Sequence, residues 1–139
     1  MLKYNQNVEK STVVNLEKGK IPPQAIDLEE VVLGACFIDK FAITQAAEVL
    51  GDVNCFYIDS HQIIYNTMLE MLRESEPIDL LTLSSKLKSL GKLDKVGGDF
   101  YLISLTQKVS SSAHLEHHCR IIMQMHVKRE SIRVASQII

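Results

Sequence analysis

Histidine and cysteine are the residues best equipped for chemistry here, and His114-Leu115-Glu116-His117-His118-Cys119 gathers four of them in one run. His114 and His118 stand one helical turn apart, a spacing that can place two imidazoles on one zinc ion. His117 and Cys119 point elsewhere on such a helix, and no second Cys or His pair completes a tetrahedral set. Solvated surface histidines are the favoured reading. Cys55 and His61 could serve as nucleophile and base only with an orienting group and an oxyanion arrangement, which the sequence does not supply. Cys55-Phe56-Tyr57 reads instead as a buried junction between helices. A phosphate-cradling loop needs an upstream glycine and a lysine followed by a hydroxyl residue; Gly19-Lys20-Ile21 and Gly91-Lys92-Leu93 have neither. Glu29, Glu30, Asp79 and Asp94 fall where caps and solvated faces want carboxylates. The expectation is a chain with no catalytic residue, no metal site and no cofactor of its own.

Two groups of cations remain. Lys86, Lys88, Lys92 and Lys95 surround the end of one helix, and Arg120, Lys128, Arg129 and Arg133 lie on the last. No aromatic residues interleave them as a single-strand stacking platform requires, so solvated helix faces are favoured. A helical nucleic-acid-binding module stays open as an alternative, because phosphate contacts need only a local basic patch. The net charge of −2 argues against binding by bulk charge.

The elements that would hold these residues are helices. From Pro77 to Leu102 the chain reads as one continuous folding instruction. Pro77-Ile78-Asp79 starts a helix with Asp79 as N-cap, and Leu80, Leu83, Leu87 and Leu90 recur at spacings of three and four along it. Gly91 stops it, Val96-Gly97-Gly98 turns the chain, and a short helix over 99–108 carries Phe100, Tyr101, Leu102 and Leu105. Upstream, residues 1–20 are polar and aperiodic, a flexible arm. Ile21-Pro22-Pro23 sets an extended lead-in. Asp27 with Glu30, and Asp59 with Gln62, look like capping boxes opening two further helices. Phe41 to Leu50 forms another, ended by Gly51-Asp52. With no surviving strand period, the fold class is all-α: a compact head of about five to six helices over 21–110.

After Ser110-Ser111-Ser112 a final helix runs without Pro or Gly to Ile139. Its first turns present Leu115, Cys119 and Ile122 to the head. The stripe then migrates to Ile121, Met125, Lys128, Ile132, Ala135 and Ile139, at four, three, four, three, four, the spacing of a coiled-coil seam. A helix of about 28 residues is roughly 40 Å long, more than a small head covers. Those six residues are the candidate partner or oligomer interface. The pattern stops mid-stripe, so the chain is expected to be cut from a longer protein.

At 139 residues and 46% apolar, the chain has the size and composition of one soluble domain. Three dispersed cysteines suit free thiols in a reducing compartment. The interrupted N-terminus does not read as a signal peptide, and no apolar run approaches a membrane span. A cytoplasmic protein without membrane contact is expected.

Pro22-Pro23-Gln24 leading into Asp27-Leu28-Glu29-Glu30-Val31-Val32-Leu33-Gly34 resembles the N-terminal domain of DnaB-type bacterial replicative helicases. Further segments match in order: Phe56-Tyr57 with His61-Gln62-Ile63-Ile64-Tyr65, then Glu76-Pro77-Ile78-Asp79-Leu80-Leu81-Thr82-Leu83, Leu90-Gly91-Lys92-Leu93, Val96-Gly97-Gly98 with Tyr101-Leu102, and Ser111-Ser112-Ala113. Departures fall at Asp27-Leu28-Glu29, where the family shows Glu-Ala-Glu, and at His114-Leu115, where it shows Ala-Asn. The resemblance implies a helical head followed by a helical hairpin, of which 111–139 would be the first, truncated arm. It implies self-association as a dimer, or as a trimer of dimers forming a hexameric collar. Primase is an implied partner, with a helicase loader as a further candidate, and DNA is reached through the full-length hexamer. ATP and Mg²⁺ are implied only for a motor domain absent from this chain, so no ATPase or helicase activity is expected here. The runner-up is the helicase-binding domain of a bacterial primase, which has a similar head and hairpin.

Overall fold

The computed structural model describes residues 21–52, 54–109 and 111–138. The expected arm over 1–20, Ser110 and the interface residue Ile139 lie outside the described residues. Among the described residues six α-helices follow one another: α1 (Ile26–Ile38), α2 (Ala42–Leu50), α3 (Asp59–Arg73), α4 (Leu80–Ser89), α5 (Gly98–Thr106) and α6 (Leu115–Ile138), with a 3₁₀ turn at Asp94–Val96 ahead of α5. No strand occurs among the described residues, and the all-α expectation holds.

The helix boundaries have local causes. Asp79 caps α4 by accepting from the Thr82 N–H at 2.9 Å, while the Thr82 hydroxyl accepts from the Asp79 N–H at 2.9 Å, a reciprocal capping box. At its other end Gly91 adopts φ +68°. This lets the Lys92 N–H reach the Leu87 carbonyl at 2.8 Å and the Gly91 N–H reach Lys88 at 3.0 Å, so the last carbonyls are satisfied. The end of α3 repeats this geometry with Ser75 in the glycine position, at φ +57°. There the Glu76 N–H bonds the Met71 carbonyl at 2.8 Å.

Two expected capping boxes are absent. Helix α1 starts at Ile26 behind Ala25, which makes no side-chain cap; Asp27 lies already inside the first turn. Glu30 is drawn away toward the Tyr101 hydroxyl, 3.4 Å, and Lys108, 3.8 Å. In α3 the N-cap is Ile58, with Asp59 the first helical residue. Gln62 turns back to donate to the Phe56 carbonyl at 2.7 Å. In both cases a more distant partner in the packed fold captures the side chain that the local motif had reserved.

Helix α6 lies across α1 and α2, α1 also packs on α3 and α5, and α4 bridges α3 to α5. Leu33, Ile64, Tyr65, Met68, Leu83, Leu87, Leu102, Leu105 and Ile122 meet in one buried core. Gly34 is what lets α1 and α5 approach: a Cβ there would run into the Leu105 carbonyl oxygen and sit 3.0 Å from Val109. Leu102 and Leu105 of α5 are buried, whereas Phe100 is 85% exposed on its outer side.

Candidate partner-binding surface

Helix α6 changes character along its length. Leu115, Cys119 and Ile122 are buried against the head, and nothing later in the helix is. Of the residues expected to form the seam, Ile121, Met125 and Ile132 are half-buried, and Lys128 and Ala135 are exposed. They share one flank of α6, beside the core-facing stripe. A second apolar stripe, which the seam reading passed over, runs along a different side: Val127 at 53% exposure, Val134 at 46% and Ile138 at 81%. With Ser131 and Ala135 as small residues between them, and His126 and Glu130 beside them, they border a shallow groove of about 510 Å³. The spacings of seven and four were legible in the sequence. Following a single register hid them.

Arg129 is not the solvated cation expected of it. Its guanidinium donates to the Pro23 carbonyl at 2.7 Å and to the Cys55 carbonyl at 2.6 Å, and lies 5.5 Å above the Tyr57 ring centroid. The fork geometry of arginine suits two acceptors at once, and the packed fold supplies carbonyls from two distant segments. Arg120 and Arg133 pair within the helix, with Glu116 and Glu130. Lys86 sits among Glu70, Glu74 and Glu76. The Glu74 bond raises the lysine's pKa, and the same bond lowers that of Glu74. Lys88, Lys92, Lys95 and Lys128 are exposed.

Glu29 also departs from expectation, being a buried carboxylate rather than a solvated one. One oxygen accepts from the Tyr57 N–H at 2.6 Å; the other lies 3.4 Å from the Ile58 N–H and 2.8 Å from His61 Nδ1. The far ring nitrogen, Nε2, is 2.5 Å from the Tyr101 hydroxyl. Since a carboxylate accepting two backbone N–H groups can only accept from the ring as well, Nδ1 carries the proton. His61 therefore has the orienting carboxylate that its sequence neighbours did not reveal, yet both nitrogens are occupied and the side chain is 1% exposed. Burial pushes the Cys55 thiol up to about 11, well away from a reactive thiolate. This chain of groups ties α1, α3 and α5 together and offers no opening to a substrate.

His114, just ahead of α6, and His117 and His118 in its first turn lie close to one another, with ring centroids of His114 and His118 at 6.3 Å and of His117 and His118 at 6.2 Å. Among the described residues no group of three or more His, Cys, Asp or Glu is arranged to hold a metal ion. All three cysteines are buried and free. No described helix is long and apolar enough to cross a membrane.

Fold and surface together define an all-α module whose distinctive feature is a long helix with apolar flanks beyond its own core. The family model described as the DnaB-like helicase N terminal domain matches residues 21–124. The replicative DNA helicase DnaC of Bacillus subtilis is 39% identical over 126 residues, which cover 91% of this chain and 28% of that protein. The replicative DNA helicase DnaB of Geobacillus stearothermophilus is 39% identical over 119 residues, covering 86% of this chain and 26% of that one. The crystal structure of the N-terminal domain of DnaB helicase from Mycobacterium tuberculosis superposes with a TM-score of 0.81 at 29% identity, covering 84% of this chain and 81% of the other. The chain belongs to the DnaB-like helicase N-terminal domain family, which selects this reading over the primase alternative. It spans between 12% and 28% of the length of the first curated relatives it matches.

Proposed function

We propose that this chain is the non-catalytic assembly and partner-docking domain of a replicative DNA helicase. Its α6 is the first arm of a helical hairpin, copies pair through it, and three pairs form a collar above a ring of motor domains. Those motor domains, with their ATP, Mg²⁺ and DNA contacts, belong to sequence beyond residue 139. The collar docks primase and receives a helicase loader, and the protein works in the cytoplasm.

One observation supports this above the others: α6 continues well past its last buried residue, Ile122, with apolar side chains on two flanks. Such surface marks a site of association when it is contiguous. Light scattering on the chain and on a version extended past residue 139 tests the assembly. The Met125→Asp/Ile132→Asp pair is expected to weaken association while circular dichroism reports a folded head. Unchanged assembly would remove that flank from the interface. Extending the gene past Ile139 and finding no P-loop would contradict the helicase reading. Crosslinking to the C-terminal region of primase tests docking, and a failure to bind it would remove primase from the proposal.

A further inference from the structure

A long helix leaving a small head can swing unless something beyond its last buried side chain fixes its direction. On α6 that side chain is Ile122. About two turns further on, Arg129 grips the Pro23 and Cys55 carbonyls at 2.7 and 2.6 Å, with the Tyr57 ring beneath its guanidinium. The segment it grips is itself held by a second charged side chain. Glu29 of α1 takes the Tyr57 and Ile58 N–H groups at 2.6 and 3.4 Å, and His61 fixes Glu29 at 2.8 Å.

We infer that Arg129 is the positioning residue that sets the direction of the distal half of α6 relative to the head, acting through the Cys55–Ile58 segment that Glu29 anchors. A surface arginine on a helix ordinarily pairs with a carboxylate one turn away, as Arg120 does with Glu116. Arg129 instead satisfies two nitrogens on carbonyls 106 and 74 residues away in the chain. Both bonds survive only over a narrow range of helix angles, because the two acceptors belong to different segments of a fixed head. Lysine, a single point charge, could not hold both. The consequence rests on the assembly reading above, since the angle decides where the flanks of α6 point. The angle itself belongs to the single chain.

The test is a distance distribution between spin labels attached by non-cysteine chemistry at exposed Lys88 and Gln137, in the full chain diluted to monomer. The wild type is expected to give one narrow distribution. Arg129→Ala and Arg129→Lys broaden it about two-fold, an expectation from loss of the fork, with near-UV dichroism of the head preserved. Arg133→Ala, which removes only an exposed pair with Glu130, leaves it unchanged. Should Arg129→Ala fail to fold, Tyr57→Leu removes the ring beneath the guanidinium and broadens the distribution less. A wild-type width in whichever of these variants folds overturns the inference. Because the measurement is made on a monomer, it can fail while the assembly reading stands, and the reverse.

Discussion

The two halves of α6 have the same backbone and opposite circumstances. From Leu115 to Ile122 the helix is bound into the head, one apolar stripe against α1 and α2. From Val127 to Ile138 it is a continuous helix with no proline or glycine, yet every apolar side chain is half-buried or exposed. Local propensity is therefore not what separates them. The first half is held by tertiary burial, the usual source of helical stability in proteins, while in the second Arg129 grips the Pro23 and Cys55 carbonyls of the head. A polar network does for the head what is missing further out: Glu29, His61 and Tyr101 satisfy one another inside the core.

The comparison is broken most decisively at Glu29. Glu29→Ala leaves His61 and two backbone N–H groups without their acceptor, and each buried donor left unsatisfied costs about 1–3 kcal/mol. The matching change in the distal half, Val134→Ser, is expected to stay within about 0.5 kcal/mol in the isolated chain. Urea denaturation of both variants decides it; equal losses would mean that the distal half is as integrated as the head. Next in size, Gly34→Ala forces a methyl group toward the Leu105 carbonyl oxygen. Overpacking of this kind costs about 1–3 kcal/mol, and a melting midpoint equal to wild type would show that α1 and α5 part freely.

Two smaller changes sharpen the picture. Ser75 holds a left-handed conformation at φ +57°, so Ser75→Gly is expected to stabilise the head by up to about 1 kcal/mol in thermal unfolding. The smallest effect concerns pH. Desolvation lowers the pKa of His118, and neighbouring His117 and His114 lower it further. A depressed histidine means the unfolded chain binds more protons, so stability falls as pH drops below the ordinary value of 6.5 toward the folded-state value. Replacing His117 and His114 with glutamine is expected to shrink that decline in a pH series of melting curves. An unchanged slope would place its origin elsewhere.

Local chemistry made much of the fold readable. The Asp79 cap, the Gly91 stop and the leucine stripe of α4 depend on residues within a few positions of each other, so spacing reveals them. Glu29 and Arg129 were misread because their partners lie 28 to 106 residues away. Nothing near either residue distinguishes a carboxylate or guanidinium destined for the interior from one left in water. The same limit hid the orientation of His61, whose carboxylate comes from α1. For the surface, heptad spacing drew attention to one flank of α6. The Val127, Val134 and Ile138 flank needed only a second register, whereas the Leu115, Cys119 and Ile122 face that meets the head was legible from its spacing.

Amide hydrogen exchange along α6 tests most directly whether its second half depends on a neighbour. In the dilute monomer, amides up to Ile122 are expected to exchange as slowly as the head core, while those from Glu130 to Ile138 exchange orders of magnitude faster. At association-promoting concentration, or in a version extended past residue 139, the distal amides slow and the proximal ones do not change. Distal amides already as protected as the core in a monomer, and indifferent to concentration and length, would contradict the account.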